Sequence, residues 1–250
     1  MRRAALALLC ALVAGCGGGD DARTRVRDYI VAANGVQERL RPELKRTNDA
    51  YVAFSRGKLS PDDAVTRLRA GERATVRARA AIGALRPPRE ASGLDARLRR
   101  VYAMNVAFAH QTTLLATYQR GAAQALAPLA RDNRRLRAAL RRFAGELSRA
   151  LRRLRALEVP AVLGVSHRDQ IRRLDATRVL SVRLRRALEA NDAKGVARLL
   201  RRFRRTAPDR RPRRALARRA IADYQRRYRQ LNDAYADVSR ENVRLNRTLD

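Results

Sequence analysis

The stretch "LRAALRRFAGELSRALRRLRAL", residues 136–157, repeats its apolar residues in alternating steps of three and four. Such spacing aligns them along one side of an α-helix, the seam geometry of helical bundles and coiled coils. The complete first seam is Leu126, Leu129, Asn133, Leu136, Leu140, Phe143, Leu147, Ala150, Leu154 and Leu157. A second seam is Ile221, Tyr224, Tyr228, Leu231, Tyr235, Val238, Asn242, Leu245 and Leu249. Both seams predict helices that bury one face, and the asparagines on them either fix the helix register or face solvent.

The composition of the whole chain favours the same fold. Alanine, leucine and arginine dominate, and all three are good helix formers. Hydrophobic residues make up 46% of the chain, which is too many, and too regularly patterned, for a disordered protein. No segment shows the sustained alternation of a strand. The sequence therefore predicts an all-α protein, an elongated antiparallel bundle of about six or seven helices. We expect a single domain over residues 23–250.

Turn and cap residues mark several helix boundaries. Ser60-Pro61-Asp62-Asp63 combines an N-cap residue, a proline at the first helical position and acidic residues in the first turn. Asn191-Asp192 predicts a cap between two later helices. Pro42 and Pro128 fall inside or near the start of helical patterns. Proline removes a backbone donor and clashes with the preceding turn, so we expect both to kink or interrupt their helices.

The sequence also contains an internal duplication. "AAIGALRPP" at 80–88 parallels "LRRLRALEVP" at 151–160, and three apolar positions match at an offset of 72. The matched positions are Ile82, Leu85 and Pro88 with Leu154, Leu157 and Pro160. Beyond the proline the offset becomes 73. This predicts a helix–proline–helix hairpin used twice with a one-residue loop difference, unless the similarity arose by chance in a sequence of low diversity.

Residues 1–15 have the layout of a secretory signal peptide. Arg2 and Arg3 precede a short apolar run that ends at Ala14. Crossing a bilayer takes about 20 apolar residues, and this run is shorter. We therefore expect it to be a leader rather than a permanent anchor.

The end of this leader, Leu12-Val13-Ala14-Gly15-Cys16, resembles the lipobox of bacterial lipoproteins. That family more often has leucine at the position of Val13. The resemblance implies that Cys16 is lipidated and becomes the first residue of the mature protein, and that residues 16–22 form a lipidated Gly-rich tether. The alternative is an ordinary secreted protein in which Cys16 has no role. Because Cys10 leaves with the leader, a lipidated mature chain has no thiol for a disulfide or a metal site.

The resemblance also implies a location. A lipoprotein of this kind is anchored through its lipid to the outward, extracytoplasmic face of the cell membrane. The mature part resembles the uncharacterised all-helical lipoproteins of GC-rich Gram-positive bacteria, a group without a known active site.

The chain is strongly basic, with a formal net charge of +33. Only Lys45, Lys58 and Lys194 are lysines, so nearly all of this charge is arginine. Residues 131–219 hold 29 basic and 8 acidic residues, a net charge of +21. A GC-rich genome explains part of the arginine content. A codon bias that acts evenly along the gene does not concentrate arginine in residues 131–219, however. A field of this sign attracts polyanions.

One arginine run is a candidate polyanion-binding site: Arg201, Arg202, Arg204, Arg205, Arg210, Arg211, Arg213 and Arg214. Two prolines within it predict a loop before the last long helix. Guanidinium groups bind phosphate in pairs of hydrogen bonds, so wall phosphopolymers, anionic lipids and extracellular nucleic acid are candidate ligands. Nucleic acid is disfavoured, because Phe203 is the one aromatic residue in the run. The alternative is a solvated linker.

No catalytic motif accompanies the two histidines, His110 and His167. Neither lies in the Glu-x-x-His or His-Glu-x-x-His patterns of metal enzymes, and no phosphate-binding loop follows the glycines after Cys16. We therefore expect no cofactor, no metal and no enzymatic activity. The sequence predicts a non-catalytic envelope lipoprotein with a structural or binding role, whose candidate partners are an unidentified envelope protein and anionic polymers or lipids. The alternative is a polyanion-binding module.

Overall fold

The computed structural model describes residues 20–130, 136–205 and 211–249. Seven helices cover nearly all of them: α1 (Asp20–Ser55), α2 (Pro61–Ala84), α3 (Ser92–Leu126), α4 (Leu136–Arg155), α5 (Gly164–Glu189), α6 (Ala193–Arg205) and α7 (Arg211–Leu249). Short 3-10 turns lie at Arg89–Ala91, Ala127–Ala130 and Ala161–Leu163. These ranges contain no strand, which confirms the predicted all-α helical bundle and its number of helices. None of the seven helices is both long and apolar enough to cross a membrane.

Side-chain caps begin two of the helices, as predicted. The Ser60 hydroxyl accepts a hydrogen bond from the backbone N–H of Asp63 at 3.1 Å and donates one to its carboxylate at 2.6 Å. The Asp192 carboxylate accepts a hydrogen bond from the backbone N–H of Gly195 at 2.8 Å. Asn191 just before it has a φ of 52°, in the left-handed region that ends a helix. These contacts fix the starts of α2 and α6.

The two helical prolines have different consequences. Pro128 lies in the 3-10 turn where α3 has already ended, so the predicted interruption is confirmed. In contrast, α1 continues through Pro42 for its full 36 residues. Leu40 and Ala50, on either side of this proline, are both buried. Their packing stabilises the helix across the lost backbone hydrogen bond.

The helix–proline–helix hairpin occurs twice. In each copy a backbone hydrogen bond between residues three apart closes the end of the first helix. The proline carbonyl then accepts a hydrogen bond from the backbone N–H of the residue three positions later. The donor–acceptor pairs are Leu85–Ile82 (3.2 Å) and Ala91–Pro88 (3.0 Å), then Leu157–Leu154 (3.1 Å) and Leu163–Pro160 (2.8 Å). The next helices begin at Ser92 and Gly164, again 72 positions apart. The two connections therefore have the same length, and the predicted one-residue loop difference is wrong.

The helices divide into two compact units. The described part of unit 1 is residues 20–55, 67–110 and 226–249. The described part of unit 2 is residues 56–66, 111–130, 136–205 and 211–225. The assignment of one domain to 23–250 stays a prediction.

The core of unit 1 draws on α1, α2, α3 and α7. Its buried hydrophobic residues are Val26, Tyr29, Ala33, Val36, Leu40, Ala74, Ala78, Ile82, Ala91, Leu94, Leu98, Val101, Tyr102, Leu231, Val238 and Leu245. The last three confirm the second seam over its C-terminal half. Further toward its start, Tyr228 remains 45% exposed. Asn242 lies on the buried half, and its side-chain oxygen is buried without a hydrogen-bond partner among the described residues.

The buried residues of unit 2 include part of the first seam. Leu140, Leu147, Ala150 and Leu154 are buried, as the spacing predicts. The seam does not follow one helix, however, because α3 ends at Leu126 and the 3-10 turn follows. Asn133 lies outside the described residues.

Candidate anion-binding surface

The predicted lipidation and arginine sites fall partly outside the described residues. Cys16 and Arg210 both lie there. The predicted loop is wrong for most of the arginine run. Arg201, Arg202, Arg204 and Arg205 belong to α6, whereas Arg211, Arg213 and Arg214 belong to α7. Arginine and leucine favour helix, and Pro212 in the first turn of α7 needs no backbone donor.

The exposed cations of unit 2 extend well beyond that run. Helices α4 to α6 and their connections, residues 136–205, hold 20 basic and 6 acidic residues. Twelve of their arginines are exposed and form no ion pair with a described acidic residue. They are Arg142, Arg149, Arg152, Arg153, Arg155, Arg168, Arg173, Arg183, Arg186, Arg198, Arg201 and Arg202. We call these twelve residues the arginine surface. Only its last two members belong to the run that the sequence singled out.

The positions of three of these arginines follow from the helical period. On α4, Arg142, Arg149 and Arg153 are separated by seven and four residues, so they form one line along the helix. Eleven residues of helix make this line about 16 Å long. Leu147 and Leu154 lie on the opposite side and are buried. Because the first seam faces the core, these three arginines of α4 face away from it.

Few of the described arginines on α4–α6 form an ion pair with a described carboxylate. The ion pairs recorded on these helices are Arg172–Asp169 (2.8 Å), Arg178–Asp175 (3.0 Å) and Arg185–Glu189 (3.8 Å). All three join residues three or four apart on α5. Exposed pairs of this kind contribute about 0.3–0.5 kcal/mol each. They engage three arginines and leave the arginine surface free of described carboxylates.

Short connections hold α4, α5 and α6 together. Residues 156–163 join α4 to α5 and residues 190–192 join α5 to α6, and α5 packs against both neighbours. The rings of Phe143 on α4 and Phe203 on α6 lie 6.3 Å apart. Both phenylalanines are partly buried. The apolar faces of these helices are thus used for packing inside the unit, which leaves their basic faces to solvent.

Unit 1 buries two of its carboxylates among arginines. Glu241 is 6% exposed and pairs with Arg244 at 2.7 Å and Arg97 at 3.3 Å. The approach requires Gly93, where a Cβ atom would lie 2.9 Å from the Glu241 carboxylate. These contacts place one carboxylate between Arg97 and Arg244.

A second buried carboxylate lies nearby in the same unit. Asp95 accepts hydrogen bonds from the Tyr29 hydroxyl at 2.9 Å and from Arg99 at 2.6 Å. Arg99 also donates to the backbone carbonyl of Gly83 at 3.2 Å, which ties α3 to the end of α2. Burial, and then the hydrogen bond to Asp95, raise the pKa of the Tyr29 phenol well above its usual value. The hydroxyl therefore stays protonated and keeps donating.

A groove of about 790 Å³ in unit 1 lies between α3 and α7. Its walls carry arginines and carboxylates in near balance, and several of them already pair with one another, including Arg240 with Asp237. Val101, Met104 and Ala234 contribute the apolar part of its lining. The residues that line the groove include no histidine, cysteine, serine or lysine that could act as a nucleophile or base.

The two histidines lie in different units. In unit 1, His110 Nδ1 is 2.8 Å from a Glu72 carboxylate oxygen. In unit 2, His167 Nδ1 is 3.0 Å from the Tyr118 hydroxyl, and the two rings meet edge to face. Burial lowers the pKa of the His167 imidazole. Within the described ranges, no three His, Cys, Asp or Glu side chains are grouped closely enough to hold a metal ion.

Comparison with known proteins identified no relative of this chain. No protein-family model, curated protein or solved structure matches this chain. The arguments for function therefore rest on the leader sequence and on the distribution of charge over the helices.

Proposed function

We propose that the protein is a membrane-tethered, non-catalytic helical lipoprotein of the cell envelope, with a structural or binding role on the outward face of the membrane. The observation that carries this proposal is Leu12-Val13-Ala14-Gly15-Cys16, the lipobox-like end of the leader. A lipidated Cys16 carries two acyl chains, which anchor stably where one chain binds only marginally. The glycines after it connect the anchor to α1, which begins at Asp20.

The side chains that acid–base chemistry would use support a non-catalytic role. Asp95 and Glu241 are buried, and each is engaged by an arginine side chain. His110 contacts a single carboxylate on the exposed surface, and His167 contacts a phenol. General acid–base sites instead bring several such groups to one cleft.

The second candidate is a polyanion-binding module, and the arginine surface favours it. Twelve exposed arginines without described acidic partners attract anions more strongly than paired arginines do. The two candidates differ in their salt dependence. Phosphate ligands dissociate as salt rises, whereas a protein partner bound mainly by apolar packing is retained in high salt.

Membrane fractionation of Cys16→Ser tests the tether. The substitution removes the thiol that would carry the lipid, so we expect the variant to leave the membrane fraction. Cys10→Ser is the matched control, because it removes the other cysteine of the leader and leaves Cys16 intact. A wash at about 1 M salt, where the Debye length is about 3 Å, removes protein held by arginines alone.

The wild type and Cys10→Ser should remain with the membrane after that wash. If Cys16→Ser also remains, the protein is not anchored through this cysteine and the lipoprotein proposal is wrong.

A further inference from the structure

We propose that the arginine surface of α4, α5 and α6 binds a flexible, phosphate-bearing polymer that contacts several arginines at once. This inference deepens the second function proposed above. It identifies the ligand as a chain of linked phosphates and extends the site from the arginine run to three helices.

The chemistry of the arginine side chain suits phosphate. Residues 136–205 contain one lysine, Lys194, among their 20 basic residues. Arginine presents its N–H groups as a planar fork, which matches two phosphate oxygens, whereas the lysine ammonium acts as a point charge. Arg142, Arg149 and Arg153 have no described carboxylate to occupy that fork. An arriving phosphate therefore displaces water rather than an existing ion pair.

The arrangement along the helices points to a chain rather than to a single anion. The line of three arginines on α4 is about 16 Å long, which is longer than one phosphate group. Arg183 and Arg186 on α5, and Arg198 and Arg201 on α6, continue the exposed cations onto adjacent helices. Packed helix axes lie about 8–10 Å apart. One flexible polymer thus has several lines of arginine within reach.

The apolar residues point away from a lipid bilayer. Helices that lie on membranes place leucine or aromatic side chains in the acyl layer beside their cations. Here Phe143 and Phe203 face each other, so they are engaged inside the unit. Val165 and Leu200 are the large hydrophobic residues recorded as exposed on the described parts of α4–α6, and they lie on different helices. The described faces of α4–α6 therefore offer cations to a bilayer but little apolar surface that could insert into it.

The same lack of exposed rings points away from nucleic acid. Proteins that bind single strands stack bases on aromatic side chains. Since the two phenylalanines of α4 and α6 contact one another, they offer no platform for a base. A polymer recognised through its phosphates alone fits these helices best.

The test measures binding of long-chain inorganic polyphosphate to the chain that starts at Asp20, which contains every described helix. The first variant changes six members of the arginine surface to glutamine: Arg142, Arg149, Arg153, Arg183, Arg198 and Arg201. The matched control changes six exposed arginines of unit 1 that also lack a described ion pair: Arg27, Arg41, Arg69, Arg73, Arg77 and Arg79. Both variants lose the same net charge.

We expect the first variant to bind polyphosphate at least about 100-fold more weakly at 50 mM salt, and the control to stay within a few-fold of wild type. Each phosphate contact contributes about 0.7 to the slope of log affinity against log salt. Loss of six contacts therefore flattens the slope by about four. Equal loss in both variants would overturn the proposal, because only overall charge would then matter.

Two further arms separate the remaining explanations. The same six positions changed to lysine keep the charge, so binding should be weakened less and should keep most of its salt dependence. If the lysine variant binds as tightly as wild type, the planar fork of arginine is not what recognises the phosphates and the proposal is wrong. Vesicles rich in phosphatidylglycerol form the second arm. Tighter binding to them than to polyphosphate, at equal phosphate concentration, would also overturn it. Since this chain lacks Cys16, the outcome is independent of the anchor.

Discussion

Replacement of Gly71 by alanine tests how closely α1 approaches α2 in unit 1. Gly71 lies in the middle of α2 and is buried against Thr47 of α1. A Cβ atom added at Gly71 would lie 2.8 Å from both Cβ and Cγ2 of Thr47, closer than real Cβ contacts allow. The Thr47 hydroxyl is itself fixed by a 2.7 Å hydrogen bond to the carbonyl of Glu43. Because the Cβ of Thr47 is attached to the backbone, no side-chain rotation relieves the clash, and the two helices must move apart.

The magnitude follows from two opposing terms. Alanine is favoured over glycine inside a helix by about 1 kcal/mol. Overpacking of a tight contact costs about 1–3 kcal/mol. The control is Gly145→Ala in α4, where the added Cβ would meet only the end of Arg149 at 3.8 Å. We expect Gly145→Ala to be stabilised and Gly71→Ala to be less stable than it by about 1–3 kcal/mol.

Thermal and urea unfolding followed by circular dichroism measure this difference. In a chain of this size 1 kcal/mol corresponds to about 2–4 °C in Tm. Adding Thr47→Ala to Gly71→Ala should recover part of the loss, since it removes Cγ2 and the hydroxyl but keeps Cβ. If Gly71→Ala is as stable as Gly145→Ala, the two helices do not approach as described and the reasoning fails.

Two more substitutions probe the cores. Leu140→Asp should destabilise the protein by several kcal/mol, because Leu140 is 7% exposed and the new carboxylate would be buried without a partner; an unchanged Tm would mean that the first seam is not core. Burial raises the pKa of the Tyr102 phenol, so above about pH 10 the unfolded chain loses this proton first and stability falls as pH rises. Tyr102→Phe should reduce that alkaline fall in the urea midpoint, and an identical pH dependence in both proteins would contradict the assignment.

Much of the fold could be predicted from local sequence. Ser60 and Asp192 cap their helices as expected, and each bond joins residues three positions apart. Leu147 and Leu154 are buried because a three–four spacing aligns them whatever they pack against. These features depend on neighbours within one or two helical turns, so a single sequence is enough to find them.

The sequence was less informative wherever two local preferences competed. Pro208 and Pro212 suggested a loop through the arginine run. Instead, helices continue up to residue 205 and from residue 211, because helix propensity prevails on both sides of residues 206–210. The second seam is regular along its whole length, but Leu231 is buried whereas Ile221 is 49% exposed. Periodicity shows which residues share a face, and only packing shows whether another helix covers it.

The candidate site divides in the same way. The excess of arginine between residues 131 and 219 is a property of the sequence, and so is its alignment opposite the leucines of α4. Which arginines are neutralised was decided by the tertiary structure. The hydrogen bond between Tyr29 and Asp95 joins residues 66 positions apart, and Glu241 reaches Arg97 of a different helix. A helix forms from bonds between residues four apart, whereas such contacts depend on where distant helices cross, which no local pattern encodes.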